Sequence, residues 1–79
     1  MARISVENIK ETDKSRNSVH DKVYTTYTIF ADEGEKYVQF DMYGRIDREN
    51  PEKISQSIQI DRKAAKFIVN LLTKEFYLK

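Results

Sequence analysis

Apolar and polar residues alternate with period two along Val23 to Ala31 and again along Lys36 to Arg45, with Asp32-Glu33-Gly34-Glu35 between them. Alternation in segments dense in Val, Ile, Thr, Tyr and Phe predicts two strands, and the short Gly-containing link predicts a hairpin. Pairing Asp32 with Glu35 sets Ile29 opposite Val38, Tyr27 opposite Phe40 and Thr25 opposite Met42, which makes one coherent apolar face. Tyr24, Thr26, Thr28, Phe30, Tyr37, Gln39, Asp41 and Tyr43 then share the other face. A three-residue loop with Gly34 left-handed would shift the pairing by one and put Tyr24, Phe30, Val38, Phe40 and Met42 together. Hydrophobic matching favours the first register. In both, aromatic rings remain on the second face.

The flanking segments complete a sheet and a helix. Ile4 and Val6 alternate with polar neighbours in Arg3 to Lys10, predicting a first strand that ends or bulges at Ile9. Glu11 to Asp21 is polar with Val19 as its one apolar anchor, a loop long enough to be mobile or functional. Ile46 to Lys53 is a charged connection with a turn signal at Asn50-Pro51. Ile54 to Asp61 alternates again, with Ile54, Gln56, Ile58 and Ile60 on one side. Asp61 then stands as a helix N-cap. From Arg62 to about Tyr77, Ala65, Ile68, Leu71, Leu72 and Phe76 form an apolar stripe, with Phe67 and Leu78 at its edges. The expected fold is α+β: a four-stranded antiparallel sheet with one C-terminal helix packed on one face, ordered ββββα, in a single small domain over residues 1–79.

One helix covers one face of a sheet, so the second face must meet a ligand or another copy of the chain. The 79 residues include no cysteine, which removes disulfides and thiolate metal sites as supplements to a small core. Domains of this size bury only roughly 60% of their unfolded surface, and oligomerisation is the remaining remedy. A homodimer is therefore expected. Fourteen Lys and Arg against 13 Asp and Glu leave a net charge of +1, so bulk charge neither requires nor excludes nucleic acid. No apolar run approaches the length of a membrane span, and no charged-then-apolar signal opens the chain. The expectation is a cytoplasmic protein with no membrane partner.

Candidate chemistry points to binding rather than catalysis. The single His20 lies in a polar loop beside Asp21 and has no cysteine to activate. No catalytic residue, metal site or cofactor is expected, and the two glycines stand too far apart for a phosphate loop. On the second face, Phe30 opposite Tyr37 and Tyr24 opposite Tyr43 make cross-strand aromatic pairs. Tyr24, Tyr37 and Tyr43 there offer a surface on which bases stack. Arg62, Lys63 and Lys66 bring cations to a helix start, where free backbone N–H groups already favour an anion. Lys14 and Arg16 add cations from the long loop.

These eight residues define a candidate interface for single-stranded DNA or RNA in a small regulatory protein. Two alternatives use the same rings. One is a protein–protein interaction module, such as a small inhibitor, an adaptor or a phage-type antagonist of a host factor. The other is a structural homodimer with no ligand, since aromatics are also simply favoured in strands.

Ser55 to Leu72 (SQSIQIDRKAAKFIVNLL) is similar in arrangement to the single-strand-binding transcriptional coactivators, the whirly type among them, which also run from an alternating strand through an acidic cap into an amphipathic helix. The Gly- and Lys-rich stretch of such coactivators is absent; Arg48-Glu49-Asn50-Pro51-Glu52-Lys53 stands in its place. The resemblance is one of architecture and carries over no functional residue.

Overall fold

Glu33 and Gly34 both hold positive φ, 50° and 82°. A two-residue hairpin turn needs that conformation to match the right-handed twist of its strands. Asp32 pairs with Glu35 across the turn, Ile29 with Val38, Tyr27 with Phe40 and Thr25 with Met42. Hydrophobic matching thus selects the observed register.

The computed structural model describes residues 1–14, 16–45 and 53–78. In chain order the elements are β1 (Ala2–Arg3), a turn of 3-10 helix (Val6–Asn8), β2 (Val23–Asp32), β3 (Glu35–Arg45), β4 (Gln56–Ile60) and α1 (Arg62–Phe76). The strands lie in the order β1-β4-β3-β2. The α+β arrangement of four strands and a C-terminal helix is present, with one correction. β2–β3 and β3–β4 are antiparallel, but β1 runs parallel to β4, so the sheet is mixed. Only a tight hairpin obliges neighbours to be antiparallel. The long segment between β1 and β2 leaves β1 free to join the far edge.

That first strand is also shorter than its alternation suggests. Ile4 still donates its N–H to the Gln59 carbonyl at 3.0 Å, and the chain then coils into the 3-10 turn at Val6–Asn8. The turn expected at Asn50-Pro51 lies outside the described residues.

Near the open end of the hairpin the ladder slips. Val23 pairs with Arg45 and Thr25 with Met42, so both Tyr43 and Gly44 stand opposite Tyr24. This is a β-bulge, which bends the strand and re-aims the side chains around it.

Asp61 caps α1: its Oδ1 accepts the Ala64 N–H at 2.9 Å. At the other end Tyr77 takes a left-handed φ of 54° and returns its N–H to the Thr73 carbonyl. The helix begins on the apolar side of the sheet, where Ala65 shares a cleft with Val38 and Ile60, and it lies beside the 3-10 turn. Cover then thins along the stripe. Ala64 is buried, Ala65 and Ile68 are half-buried, Leu72 is 40% exposed and Phe76 67%. On the same side of the sheet, Tyr27 and Ile29 of β2 are 66% and 61% exposed. No helix among the described residues is long and apolar enough to cross a membrane.

Candidate functional site

The opposite face of the sheet is built from β2, β3 and β4 in rows. At the turn end Phe30 and Tyr37 pair across the strands and stack, with ring centroids 5.4 Å apart and planes at 24°. At the bulge end Tyr24 and Tyr43 meet at 5.3 Å, tilted by 52°. Two polar rows lie between these ring pairs. One holds Thr28, Gln39 and Gln59, the other Thr26, Asp41 and Ser57.

Hydrogen bonds tie the polar rows together. Gln59 Nε2 donates to Gln39 Oε1 at 2.9 Å, and Gln39 Nε2 donates to Asp41 Oδ1 at 2.9 Å. Ser57 Oγ donates to the same Asp41 oxygen. Thr26 Oγ1 and the Tyr43 hydroxyl share a hydrogen bond of 3.3 Å, which joins the second row to the bulge-end rings. Asp41 and Ser57 are buried. Burial alone would raise the Asp41 carboxyl pKa. The donors win: Ser57 first, then Gln39, hold it below its ordinary value. The centre of this face therefore carries a fixed negative charge with its partners in place.

Arg3 provides the cation at the turn end. Its guanidinium carbon lies 5.0 Å from the centroid of the Tyr37 ring, within cation–π range. The same side chain donates from Nη2 to Asp61 Oδ2 at 2.9 Å. Arg3 thus joins β1, the stacked rings and the cap of α1.

The expected site residues fall into three groups. Tyr24, Tyr37 and Tyr43 do share one face, and each belongs to a ring pair or contacts one. Arg62 and Lys63, in the first turn of α1, line the cleft of about 830 Å³ between the hairpin turn, the 3-10 region and the helix start. Arg3 and Lys36 also line it, together with Glu7, Glu35 and Asp61, so its charge is nearly balanced. Lys66 is exposed on α1 outside the cleft lining, and Lys14 and Arg16 are exposed in the irregular segment before β2. Among the described residues, Arg3 borders both the ring face and the cleft that Arg62 and Lys63 line.

Arg3, Ser57 and Gln59 are the members that sequence reasoning missed. Ser57 and Gln59 alternate with Ile58 and Ile60 in β4, which marks them as facing away from the apolar side. Recognising them as neighbours of Asp41 and Gln39 needed the strand order. Comparison of the chain with protein-family models, curated protein sequences and solved structures finds no match.

Proposed function

We propose that this chain is a non-enzymatic binding protein that holds single-stranded nucleic acid on the face carrying Tyr24, Tyr37 and Tyr43. The observation that supports this most is the presence of two ring pairs on one face, with a guanidinium already seated against one of them. Tyr37 and Tyr43 stand six positions apart in one strand, about 20 Å at strand rise. One strand of nucleic acid can reach both pairs, its bases stacked on the rings at each end. Stacking tolerates any base, because every base has a π-face.

Between the platforms the buried Asp41 carboxylate disfavours phosphate, and the exposed Thr28 and half-buried Gln39 are the polar groups open to base edges. Base edges therefore face the polar rows. Phosphates run along the rim, toward Arg3 with Arg62 and Lys63 beyond it at the turn end, and toward Lys14 and Arg16 from the loop.

A protein partner is the second reading, favoured by the net charge of +1 and by the carboxylate at the centre of the face. Salt separates the two. The test is fluorescence anisotropy of labelled single-stranded DNA and RNA oligomers titrated with the protein at low and at physiological salt. Micromolar or tighter binding that weakens steeply with salt supports the nucleic-acid reading. Absence of binding at low salt removes it and leaves the protein-interaction reading.

A further inference from the structure

We propose that a second copy of this chain covers the apolar side of the sheet, with α1 of each protomer lying on β2 of the other. This side, which carries the Tyr27–Phe40 pair, is opposite the Tyr24–Tyr43 and Phe30–Tyr37 pairs, so the inference stands apart from the nucleic-acid reading.

The exposed area is the first reason. A 9.4 kDa chain folded as a compact monomer exposes about 5,000 Å². This chain exposes 7624 Å², a surplus of about 2,600 Å² over that scaling. Its radius of gyration is 14.8 Å, against about 12 Å for a compact domain of its length. Part of the surplus belongs to the extended segment before β2. Exposed apolar side chains lie where a core should be, on Tyr27 and Ile29 of β2 and on Leu71, Leu72 and Phe76 of α1.

The core itself is the second reason. Ala64 is the one fully buried hydrophobic residue among those described. With Val38, Phe40, Ile58, Ile60 and Ile68 only half-buried around it, the monomer has little apolar burial to set against the conformational entropy of ordering the chain. The missing cover has to be present whenever the chain folds, and a second copy meets that condition. Obligate homodimers commonly have no stable folded monomer for this reason.

Size fits the same occupant. Obligate homodimer interfaces bury about 2,000–5,000 Å² in total, which two such protomers can supply from their surplus. Ile68, Leu71, Leu72 and Phe76 form a stripe with Glu75 among them at helical spacing, while Lys66 and Lys74 fall outside it. The stripe offers no cation to a phosphate. In a two-fold dimer the contact is reciprocal. Leu72 and Phe76 of one protomer reach Tyr27 and Ile29 of the other, and the reverse.

Light scattering on a sizing column and thermal melts over a range of protein concentrations test this. The expected result is twice the 9.4 kDa chain mass at micromolar concentration, with a melting temperature that rises as concentration rises. Leu72→Glu and Phe76→Glu should each abolish the dimer and broaden or remove the melt, whereas Lys66→Glu should leave both unchanged. Because loss of dimer and loss of fold coincide here, an equimolar mixture of isotope-labelled and unlabelled wild-type chains supplies the independent readout. Intermolecular NOEs between Tyr27 or Ile29 and Leu72 or Phe76 are expected. A monomer with a concentration-independent, cooperative melt overturns the proposal. So does a dimer that survives both glutamate substitutions, or one that lacks those NOEs.

Discussion

Arg3 and Asp61, 58 positions apart in the chain, form an ion pair of 2.9 Å that joins the first strand to the start of the helix. The carboxylate is shared: Oδ2 takes Arg3 while Oδ1 caps the Ala64 N–H. The Ala64 N–H first, then Arg3, hold the Asp61 pKa below its ordinary value. The unfolded chain therefore binds this proton at a higher pH than the folded one. The stabilisation is fully present above about pH 3.9, the ordinary aspartate value, and is lost as pH falls through the lowered folded value. Asp61→Asn keeps a good cap but drops the ion pair, whereas Asp61→Ala drops both. Melting temperatures at pH 7 should rank wild type, then Asp61→Asn, then Asp61→Ala. The loss between pH 5 and pH 2 should shrink in both variants without vanishing, because Asp41 and Glu7 are lowered too. Equal melts for all three proteins would remove Asp61 from this role.

Ser57 is the largest influence on Asp41, ahead of Gln39. Ser57→Ala should therefore raise the Asp41 pKa more than Gln39→Ala does. Carboxyl carbon chemical shifts followed through an acid titration give the answer directly. An Asp41 titration that does not move in Ser57→Ala would mean that the row is not coupled as its geometry implies.

The hairpin turn leaves room for improvement at one position and none at the next. Glu33 sits at a φ of 50°, a conformation that Asn tolerates better than Glu. Glu33→Asn should stabilise the fold by about 0.5–1 kcal/mol, a typical gain when a residue matches its backbone. Gly34 has a φ of 82°, and a Cβ there would meet nothing within 4 Å. Gly34→Ala should still cost about 1–2 kcal/mol, the strain of an L-residue in the left-handed region. Urea unfolding midpoints should move in opposite directions for the two variants.

The parts of this fold that were legible in the sequence are those that local chemistry decides. The hairpin register follows from Tyr27, Ile29, Val38 and Phe40 needing one another, and the start of the helix follows from Asp61 preceding an amphipathic run. The alternation of Ile4 and Val6 marked a strand, but the ladder holds only Ala2–Arg3. Two residues are too short for a period, and their parallel partner lies more than fifty positions away. The polar rows failed for the same reason, since Gln39 and Gln59 become neighbours only once β4 is known to flank β3. The stripe on α1 announced an apolar face correctly. Periodicity cannot say what covers such a face, and here Leu72 and Phe76 stay exposed.

Rings and rim cations should leave different signatures on nucleic-acid binding. Tyr24→Ala and Tyr37→Ala should each weaken binding of a single-stranded oligomer by about 1–3 kcal/mol, the value of one stacked base. Neither should change the slope of log affinity against log salt, because no phosphate contact is lost. Tyr37→Phe should bind nearly as wild type, since it keeps the ring beneath Arg3. Replacing Arg62 and Lys63 together by Gln should flatten the slope by about 1.4 units, at roughly 0.7 for each phosphate contact on a single strand. Anisotropy titrations at four or more salt concentrations measure both effects. An unchanged slope would take Arg62 and Lys63 out of the interface and leave Arg3 as the cation that the ring face itself holds. Full affinity in both tyrosine variants would take the face out of the interface altogether, because stacking is the interaction it is built to offer.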